Sequence, residues 1–240
     1  MELIAQGRAA DVFDLGDGRV LRRYRHGGDA TFEARAMLHL EEHGYPVPHV
    51  FDADGGDLVL ERIDGGTLFD ELLHEPAQYR RYGRLLGELH ERLHRLPAPS
   101  WLPGDGGRSA TDSGAVFIHR DLHPQNVILS ERGPVVIDWP DVAAGSAATD
   151  AAITVILTLG SDLDVEPHVA EHVEPFRALF IDAFLETCAT DPRDGLAEAI
   201  AYRLGTPHNT QDETRWLEQA APHCLDEFYL ESRELQPRES

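Results

Sequence analysis

The 240-residue chain has few cysteines and no long apolar run, and each absence narrows its class. Cys188 and Cys224 form no C-x-x-C pair and no metal-ligand spacing with histidine, so we expect free thiols in a reducing compartment. The longest apolar run, Ala151 to Gly160, is too short to span a bilayer. The first residues lack the basic and then apolar layout of a signal peptide. We therefore expect a cytoplasmic protein.

Basic side chains are also scarce, with 21 Lys and Arg against 43 Asp and Glu, for a net charge of −22. A field of this sign repels nucleic acid and anionic membranes, so neither is expected as a partner. The charge has two interpretations: a solvated acidic surface, or an acidic pocket for a polyamine-like substrate. Nothing in the sequence predicts the oligomeric state. The candidate pocket carboxylates are Asp182, Glu186, Asp212 and Glu213.

The first 60 residues are predicted to form a small β-rich lobe with one helix. The turn sequence Gly16-Asp17-Gly18 favours a hairpin, and Asp29 can cap a helix that runs to about His43. The order of elements is β-β-β-α-β-β. The predicted bounds of four of these strands are Ala9–Leu15, Arg19–Tyr24, Val50–Ala53 and Asp57–Glu61.

The rest of the chain is predicted to be mainly helical. Pro76 can occupy a first helical position and open a helix that runs to Leu96. Short strands are expected at Val116–Ile118, Val127–Leu129 and Val135–Ile137, and the pattern is helical from Ala147 onward.

Two of these short strands flank the most informative motif of the chain. Residues 119–126 read H-R-D-x-x-x-x-N, and the strand after them ends in Asp138. A kinase catalytic loop and its metal-binding aspartate have this residue set, in this order. Asp138 is followed by Trp-Pro, and no Ala-Pro-Glu segment or long activation loop follows, which argues against a protein kinase regulated by phosphorylation.

The motif resembles that of a known family. The loop His-x-Asp-Leu-His-Pro-x-Asn within Phe117–Asn126, followed by Ile-Asp-Trp at 137–139, is similar to that of aminoglycoside phosphotransferase/choline kinase-type small-molecule kinases. The resemblance runs from about Gln6 to Asp150. It implies an α+β, bilobal, protein-kinase-like fold with a β-rich N-lobe at 1–62 and a larger helical C-lobe at 63–240. It also implies transfer of the γ-phosphate of ATP or GTP, with Mg²⁺, to a hydroxyl of a small acceptor, for which an aminated compound is one candidate.

The resemblance assigns roles to three residues of the motif. Asp121 would be the catalytic base, and Asn126 and Asp138 would hold Mg²⁺, which suits oxygen ligands. The alternatives are a loop cap for Asp121, a turn residue for Asn126 and a strand-end cap for Asp138. His119 and Arg120 would shape the loop. His123 would be either a hydrogen-bonding neighbour of the site or a packed structural histidine.

Nucleotide binding is expected to fall to the N-lobe. Strand alternation places Val20 and Arg22 on one face, with Arg22 at the α- and β-phosphates and Val20 against the base. Glu33 on the helix would pair with Arg22. The alternatives are a solvated Arg22 and an exposed Glu33.

The remaining predicted nucleotide contacts lie in two loops. Gly7, with Arg8 after it, occupies the phosphate-loop position, although the segment has one glycine and no G-x-G-x-x-G. Glu61 and Ile63 lie in the connector between the lobes, whose backbone would bind adenine or guanine. A catalytically degenerate kinase fold that acts as a nucleotide-binding or regulatory protein is the main alternative to an enzyme.

Overall fold

A computed structural model describes residues 1–7, 9–25, 27–105, 110–160, 167–206, 209–226 and 228, with the backbone alone given for 76 and 167–176. The chain divides into two compact units, one of residues 1–69 and 124–142 and the other of residues 70–123 and 143–240. Arg8 of the predicted phosphate loop lies outside the described residues. The predicted lobe boundary at 62 and 63 stays a prediction.

The described residues contain ten strands and seven α-helices. The strands are β1 (Glu2–Gln6), β2 (Ala10–Gly16), β3 (Arg19–Tyr24), β4 (Val50–Asp54), β5 (Asp57–Glu61), β6 (Gly66–Thr67), β7 (Val116–Ile118), β8 (Val127–Ser130), β9 (Gly133–Val136) and β10 (Ala143–Gly145). The helices are α1 (Ala30–Glu42), α2 (Leu68–His74), α3 (Tyr79–His94), α4 (Ala147–Gly160), α5 (Pro167–Thr187), α6 (Leu196–Leu204) and α7 (Gln211–Gln219).

The first unit is built on a five-stranded antiparallel sheet in the order β1-β2-β3-β5-β4. The predicted hairpin turn is present, since Gly16, Asp17 and Gly18 all have positive φ angles, which two glycines allow without strain. Asp29 caps α1 as predicted, with its Oδ1 accepting a hydrogen bond from the Thr31 amide at 2.9 Å. A smaller sheet, β6-β8-β9, completes the unit.

The second unit is mainly helical. Its helices α3 and α5 pack closely because Gly83 and Gly87 of α3 leave room for the backbone of α5. Helices α4, α6 and α7 share a second core, and β7 pairs with β10. The members of that core are Ala152, Ile153, Ile156, Ala199, Leu217 and Ala221. No described helix is long and apolar enough to cross a membrane.

The helix predicted from Pro76 to Leu96 is shorter than expected. Pro76 begins a 3₁₀ turn that ends at Gln78, and α3 follows from Tyr79 to His94. The amide of Leu96 bonds to the carbonyl of Leu93 at 3.0 Å, three residues back, so the chain tightens before Pro97. Ile137, predicted as strand, lies just beyond the end of β9.

Candidate active site

A buried ionic cluster in the first unit joins strand β3 to helix α1. Nη1 of Arg22 contacts Oε1 of Glu33, and Nη2 of Arg22 donates to Oδ1 of Asp138 at 2.5 Å. The Glu33 side chain is 1% exposed, and that of Arg22 is 11% exposed. Arg22 therefore bridges two carboxylates that lie 105 positions apart in sequence (138 − 33).

Two further donors complete the environment of Glu33. The Tyr24 hydroxyl donates to Oε2 at 2.5 Å, and the amide of Trp139 donates to Oε1 at 3.1 Å. Burial disfavours the charged guanidinium of Arg22, but the negative charges of Asp138 and Glu33 outweigh burial and raise its pKa. Arg22 is therefore a permanent cation at the centre of this cluster.

A β-hairpin brings Asn126 and Asp138 to one end of the same two-stranded ladder. Val127 lies opposite Val136, and the amide of Ile137 donates to the carbonyl of Asn126 at 3.0 Å. Asn126 is buried, whereas the Asp138 side chain is 38% exposed. One carboxylate and one amide oxygen form a hard donor set that suits Mg²⁺, so the residues present fit the expected ion.

Left-handed backbone marks both predicted catalytic segments. Among described residues other than glycine, positive φ angles occur at Asp17 in a hairpin turn, at Arg120 (67°) and at Asp138 (68°). Such conformations cost free energy in residues with a Cβ and cluster at functional sites. The strain therefore lies beside the predicted base and at the predicted metal ligand.

Asp121 lies in the second unit between two cation-forming side chains. Nε2 of His123 is 3.6 Å from its Oδ2, and Nη1 of Arg203 is 3.7 Å from its Oδ1. The Asp121 amide donates to Nδ1 of His119 at 3.2 Å. Burial raises the pKa of Asp121, but the close His123 ring and the charges of His123, His119 and Arg203 outweigh burial, so the pKa lies below its ordinary value.

Asp150 on α4 holds the backbone of the loop that carries Asp121. Its Oδ1 accepts from the amide of Arg120 at 2.7 Å, and its Oδ2 accepts from the amide of His119 at 3.2 Å. Nε2 of His94 lies 2.9 Å from the same Oδ2. Asp150 is fully buried, which raises its pKa, but the hydrogen bond with His94 and the histidine charges reverse the effect and lower it.

The side chains of the two loop residues before Asp121 have separate structural partners. Nη1 of Arg120 donates to Oδ1 of Asp105 at 3.2 Å, and its guanidinium lies 4.7 Å from the ring centroid of Tyr202. His119 is fully buried. These contacts agree with a loop-shaping role for both residues, which stays a prediction.

The predicted base-binding residues lie on or next to the large sheet. Val20 pairs with Leu60 across β3 and β5, two residues before Arg22 on the same face. Oε2 of Glu61, at the end of β5, accepts from Arg132 at 2.8 Å, and Ile63 follows as a half-buried residue.

The predicted phosphate loop lies between β1 and β2 in the first unit. The Gly7 amide donates to the carbonyl of Ala10 at 2.8 Å, which closes a turn. A Cβ at Gly7 would lie 3.2 Å from that oxygen, so the turn leaves little room for a side chain. The phosphate-binding role of this turn stays a prediction.

The four carboxylates predicted as acceptor ligands form ion pairs or capping hydrogen bonds with nearby residues. Arg80 donates to Asp182 at 2.8 Å and to Glu186 at 2.7 Å between α3 and α5. Arg215 pairs with Asp212 on α7, and Glu213 completes the N-terminal capping box of that helix. These carboxylates are engaged in ion pairs or capping, and their role in acceptor binding stays a prediction.

Sequence reasoning missed the two α6 residues beside the catalytic segment, Tyr202 and Arg203. Both lie about 80 positions after the residues they contact, in a stretch without a recognisable motif. Sequence patterns record periodicity and local spacing, so they carry no signal for such a contact.

Comparison with known structures defines the class of fold. The ternary complex of streptomycin, ATP and APH(2'')-IIa has a TM-score of 0.60 at 13% identity, covering 92% of each chain. The ADP-bound aminoglycoside phosphotransferase APH(2'')-Ib has a TM-score of 0.53 at 11% identity, again covering 92% of each chain. The aminoglycoside-3'-phosphotransferase of type VIII has a TM-score of 0.52 at 21% identity, covering 95% of this chain and 91% of that one. The predicted kinase-like α+β fold is confirmed.

A family model identifies the group within that fold. The model of the phosphotransferase enzyme family, APH, matches residues 1–110 and 108–187. The chain therefore belongs to this family of phosphotransferases, as the catalytic motif predicted. No curated protein gives a significant match.

Proposed function

We propose that the protein is a small-molecule kinase that transfers the γ-phosphate of ATP or GTP to a hydroxyl of a small acceptor. The observation that carries the proposal is the Arg22 cluster, in which one guanidinium contacts both Glu33 and Asp138. A purely structural arginine needs no left-handed, partly exposed aspartate as a partner. A cation next to a metal-binding carboxylate is the arrangement that phosphoryl transfer requires.

The nucleotide half of the proposed site uses residues of the first unit. Arg22, held in place by Glu33, would direct its remaining N–H donors and its positive charge at the α- and β-phosphates. Val20 lies on the same face of β3 and would pack against the base. The backbone of Glu61 to Ile63 would bind the base edge, and amides near Gly7 would contact phosphate oxygens.

Asn126 and Asp138 would hold the metal ion. Arg22 contacts one of the two carboxylate oxygens of Asp138, and an ion can bind the other. A bound Mg²⁺ would supply positive charge that offsets the charge of the phosphate oxygens. The left-handed backbone at Asp138 sets the direction of its carboxylate at the end of the hairpin.

Asp121 is assigned the role of binding and orienting the acceptor hydroxyl. Its lowered pKa keeps it ionised at neutral pH, so it can accept a hydrogen bond from the hydroxyl. A weak base of this kind orients the nucleophile, and takes its proton late as the oxygen–phosphorus bond forms and the bond to the departing diphosphate breaks.

A nucleotide-binding protein without transferase activity is the second candidate. The observations that favour it are an arginine at the position where protein kinases use lysine, and a phosphate loop with a single glycine at Gly7. Retention of Asp121, Asn126 and Asp138 weighs against it. Asp121→Asn separates the two: loss of the biological effect with nucleotide binding intact eliminates the binding-only role.

The first test is thermal unfolding with ATP, GTP or neither, each with and without Mg²⁺. A ligand at 100 times its Kd stabilises a protein by about 2.7 kcal/mol, a clear shift in Tm. We expect a metal-dependent shift with one nucleotide, and its loss in Asp138→Asn. Asp54→Asn, an exposed carboxylate at the end of β4, is the control and should retain the shift.

An acceptor screen follows with the preferred nucleotide. The panel covers amino alcohols, sugars, aminoglycosides and macrolides, and the measurement is phosphate transfer by wild type and Asp121→Asn. A nucleotide-dependent shift without transfer to any member would contradict the kinase proposal and favour the binding protein. Absence of any shift would contradict both.

A further inference from the structure

Two consecutive residues of α6 contact two consecutive residues of the catalytic segment. The ring of Tyr202 lies 4.7 Å from the guanidinium of Arg120, and Nη1 of Arg203 lies 3.7 Å from Oδ1 of Asp121. The Arg203 side chain is 13% exposed, so solvent screens this ion pair only in part. All four residues belong to the second unit.

Helix α6 packs tightly against α4, so it can hold the catalytic segment in position. At its start, a Cβ on Gly195 would lie 2.2 Å from the amide nitrogen of Thr149, so α6 and α4 meet at backbone distance. The Thr149 hydroxyl donates to Glu198 at 2.8 Å, and Ala199 is buried in the core shared with α4. Because α4 also carries Asp150, both helices hold the same loop.

The contacts divide between backbone and side chains. Asp150 accepts hydrogen bonds from the amides of His119 and Arg120, which fixes the path of the loop. The carboxylate of Asp121 is fixed separately, with His123 near Oδ2 and Arg203 near Oδ1. Each carboxylate oxygen thus has its own neighbour, which restricts rotation of the group.

The family match ends at residue 187, before α6 begins. Helix α6 therefore lies beyond the matched part of the chain, and its contact with Asp121 is an observation of this structure alone.

We propose that α6 belongs to the catalytic apparatus, with Arg203 as a positioning residue that orients the Asp121 carboxylate, and with Tyr202 holding Arg120 beside it. The inference rests on the proposed kinase function. The charged groups that face Asp121 are His119 and His123 from its own segment and Arg203 from α6. Removal of Arg203 deletes the permanent cation of this set.

The test is the pH profile of kcat for Arg203→Gln and Arg203→Lys with the best acceptor from the screen. In Arg203→Gln we expect kcat to fall by about tenfold, with KM for the nucleotide nearly unchanged, because the lost contact lies at the acceptor side of the reaction. Loss of a positive neighbour raises the pKa of a carboxylate, so the acid limb of the profile should move to higher pH. Arg203→Lys should restore the acid limb and most of kcat.

Arg215→Gln is the matched control, because Arg215 forms an exposed pair with Asp212 on α7 and should leave the profile unchanged. Tyr202→Leu should lower kcat with a smaller shift of the acid limb. The proposal is overturned if Arg203→Gln keeps the wild-type kcat and acid limb. It is also overturned if the glutamine and lysine variants lose kcat equally and in proportion to a drop in Tm, since that marks a role in folding alone.

A titration of Asp121 separates this inference from the proposed function. Carbon-13 NMR of the Asp121 carboxyl in wild type and Arg203→Gln needs neither nucleotide nor acceptor. If wild type transfers phosphate to no acceptor, the proposed function fails, while a raised carboxyl pKa in the variant still supports the contact. An unchanged carboxyl pKa overturns the contact even if the enzyme is active.

Discussion

Arg22 is a cation between two carboxylates, and its removal exposes what the cluster contributes to folding. In Arg22→Met, Glu33 is left buried without its charged partner, and such a change costs about 3–5 kcal/mol. Urea unfolding measures the loss. Arg23→Met, in the neighbouring residue on the exposed face of β3, is the control and should change stability little.

A double variant tests whether the loss of stability in Arg22→Met comes from the unpaired charge of Glu33. Arg22→Met combined with Glu33→Gln should recover much of the stability, because no charge is then left buried without a partner and the side-chain amide oxygen can still accept a hydrogen bond from Tyr24 or Trp139. A double variant as unstable as the single one would contradict this account and point to side-chain packing as the cause.

Single residues were predictable where a motif or strand alternation marked them. Period-2 alternation selected Arg22 over Arg23, and the structure shows Arg22 in contact with Glu33 as expected, whereas the roles that the H-R-D-x-x-x-x-N spacing gives Asp121 and Asn126 stay predictions. Arg203 was not predictable, because its contact with Asp121 depends on how α4 and α6 pack. The positive φ of Asp138 was equally invisible, since nothing in the residue type requires it.

At the scale of elements, α3 and α5 depend on two glycines for their close approach. Alanine normally favours a helix over glycine by about 1 kcal/mol. A Cβ at Gly83 would lie 2.3 Å from the carbonyl oxygen of Phe180, so the two backbones must move apart. We expect Gly83→Ala to destabilise the protein by about 1–3 kcal/mol despite its helix propensity.

Thermal or urea unfolding checks this prediction against a second alanine on the same helix. Glu88 lies on the exposed face of α3, so Glu88→Ala should leave stability nearly unchanged. A Gly83→Ala variant more stable than wild type would show that α3 and α5 adjust without cost, contrary to the packing described here.

Helices and strands were predicted well where local chemistry decides them. Asp29 begins α1 as expected, because its side chain caps the first turn. The predicted start of α3 was wrong by three residues, because Pro76 is compatible with a 3₁₀ turn as well as with an α-helix. The sequence did not predict which helices pack against each other, because an amphipathic pattern identifies the buried face of a helix but not the element that covers it.

For the whole molecule, a buried histidine makes the free energy of unfolding depend on pH in the mildly acidic range. His90 is fully buried, with Nε2 3.0 Å from the Thr154 hydroxyl and Nδ1 3.5 Å from Asp150. Burial lowers its pKa, and the charges of His94 and His119 act in the same direction, while Asp150 opposes them in part. The folded state therefore holds His90 neutral at a pH where the unfolded chain protonates it.

Stability must then fall as the pH drops below the ordinary histidine pKa of about 6.5, by up to about 1.4 kcal/mol per pH unit. Asp150 has a lowered pKa, so its contribution is present at higher pH and is lost below about pH 4, the ordinary range of an aspartate. The two effects thus occupy different pH windows. Urea unfolding from pH 7 to pH 4.5 measures the slope.

His90→Gln should reduce the pH dependence of the free energy of unfolding by up to about 1.4 kcal/mol per pH unit, the contribution of one proton. This expectation holds whatever the effect of the substitution on stability at pH 7. His74→Gln, an exposed histidine on α2, is the matched control. An equal slope in wild type and His90→Gln would show that His90 is not the group that titrates.

The division of the chain into units has a consequence for anyone who dissects the gene. Residues 124–142 complete the first unit, although they follow the start of the second in sequence. A fragment that stops at residue 69 would lack Asp138 and the β8–β9 hairpin that pairs with β6. Two halves split near residue 69 should therefore not fold separately, whereas a fusion of residues 124–142 to the first segment would keep all residues of the Arg22 cluster in one piece.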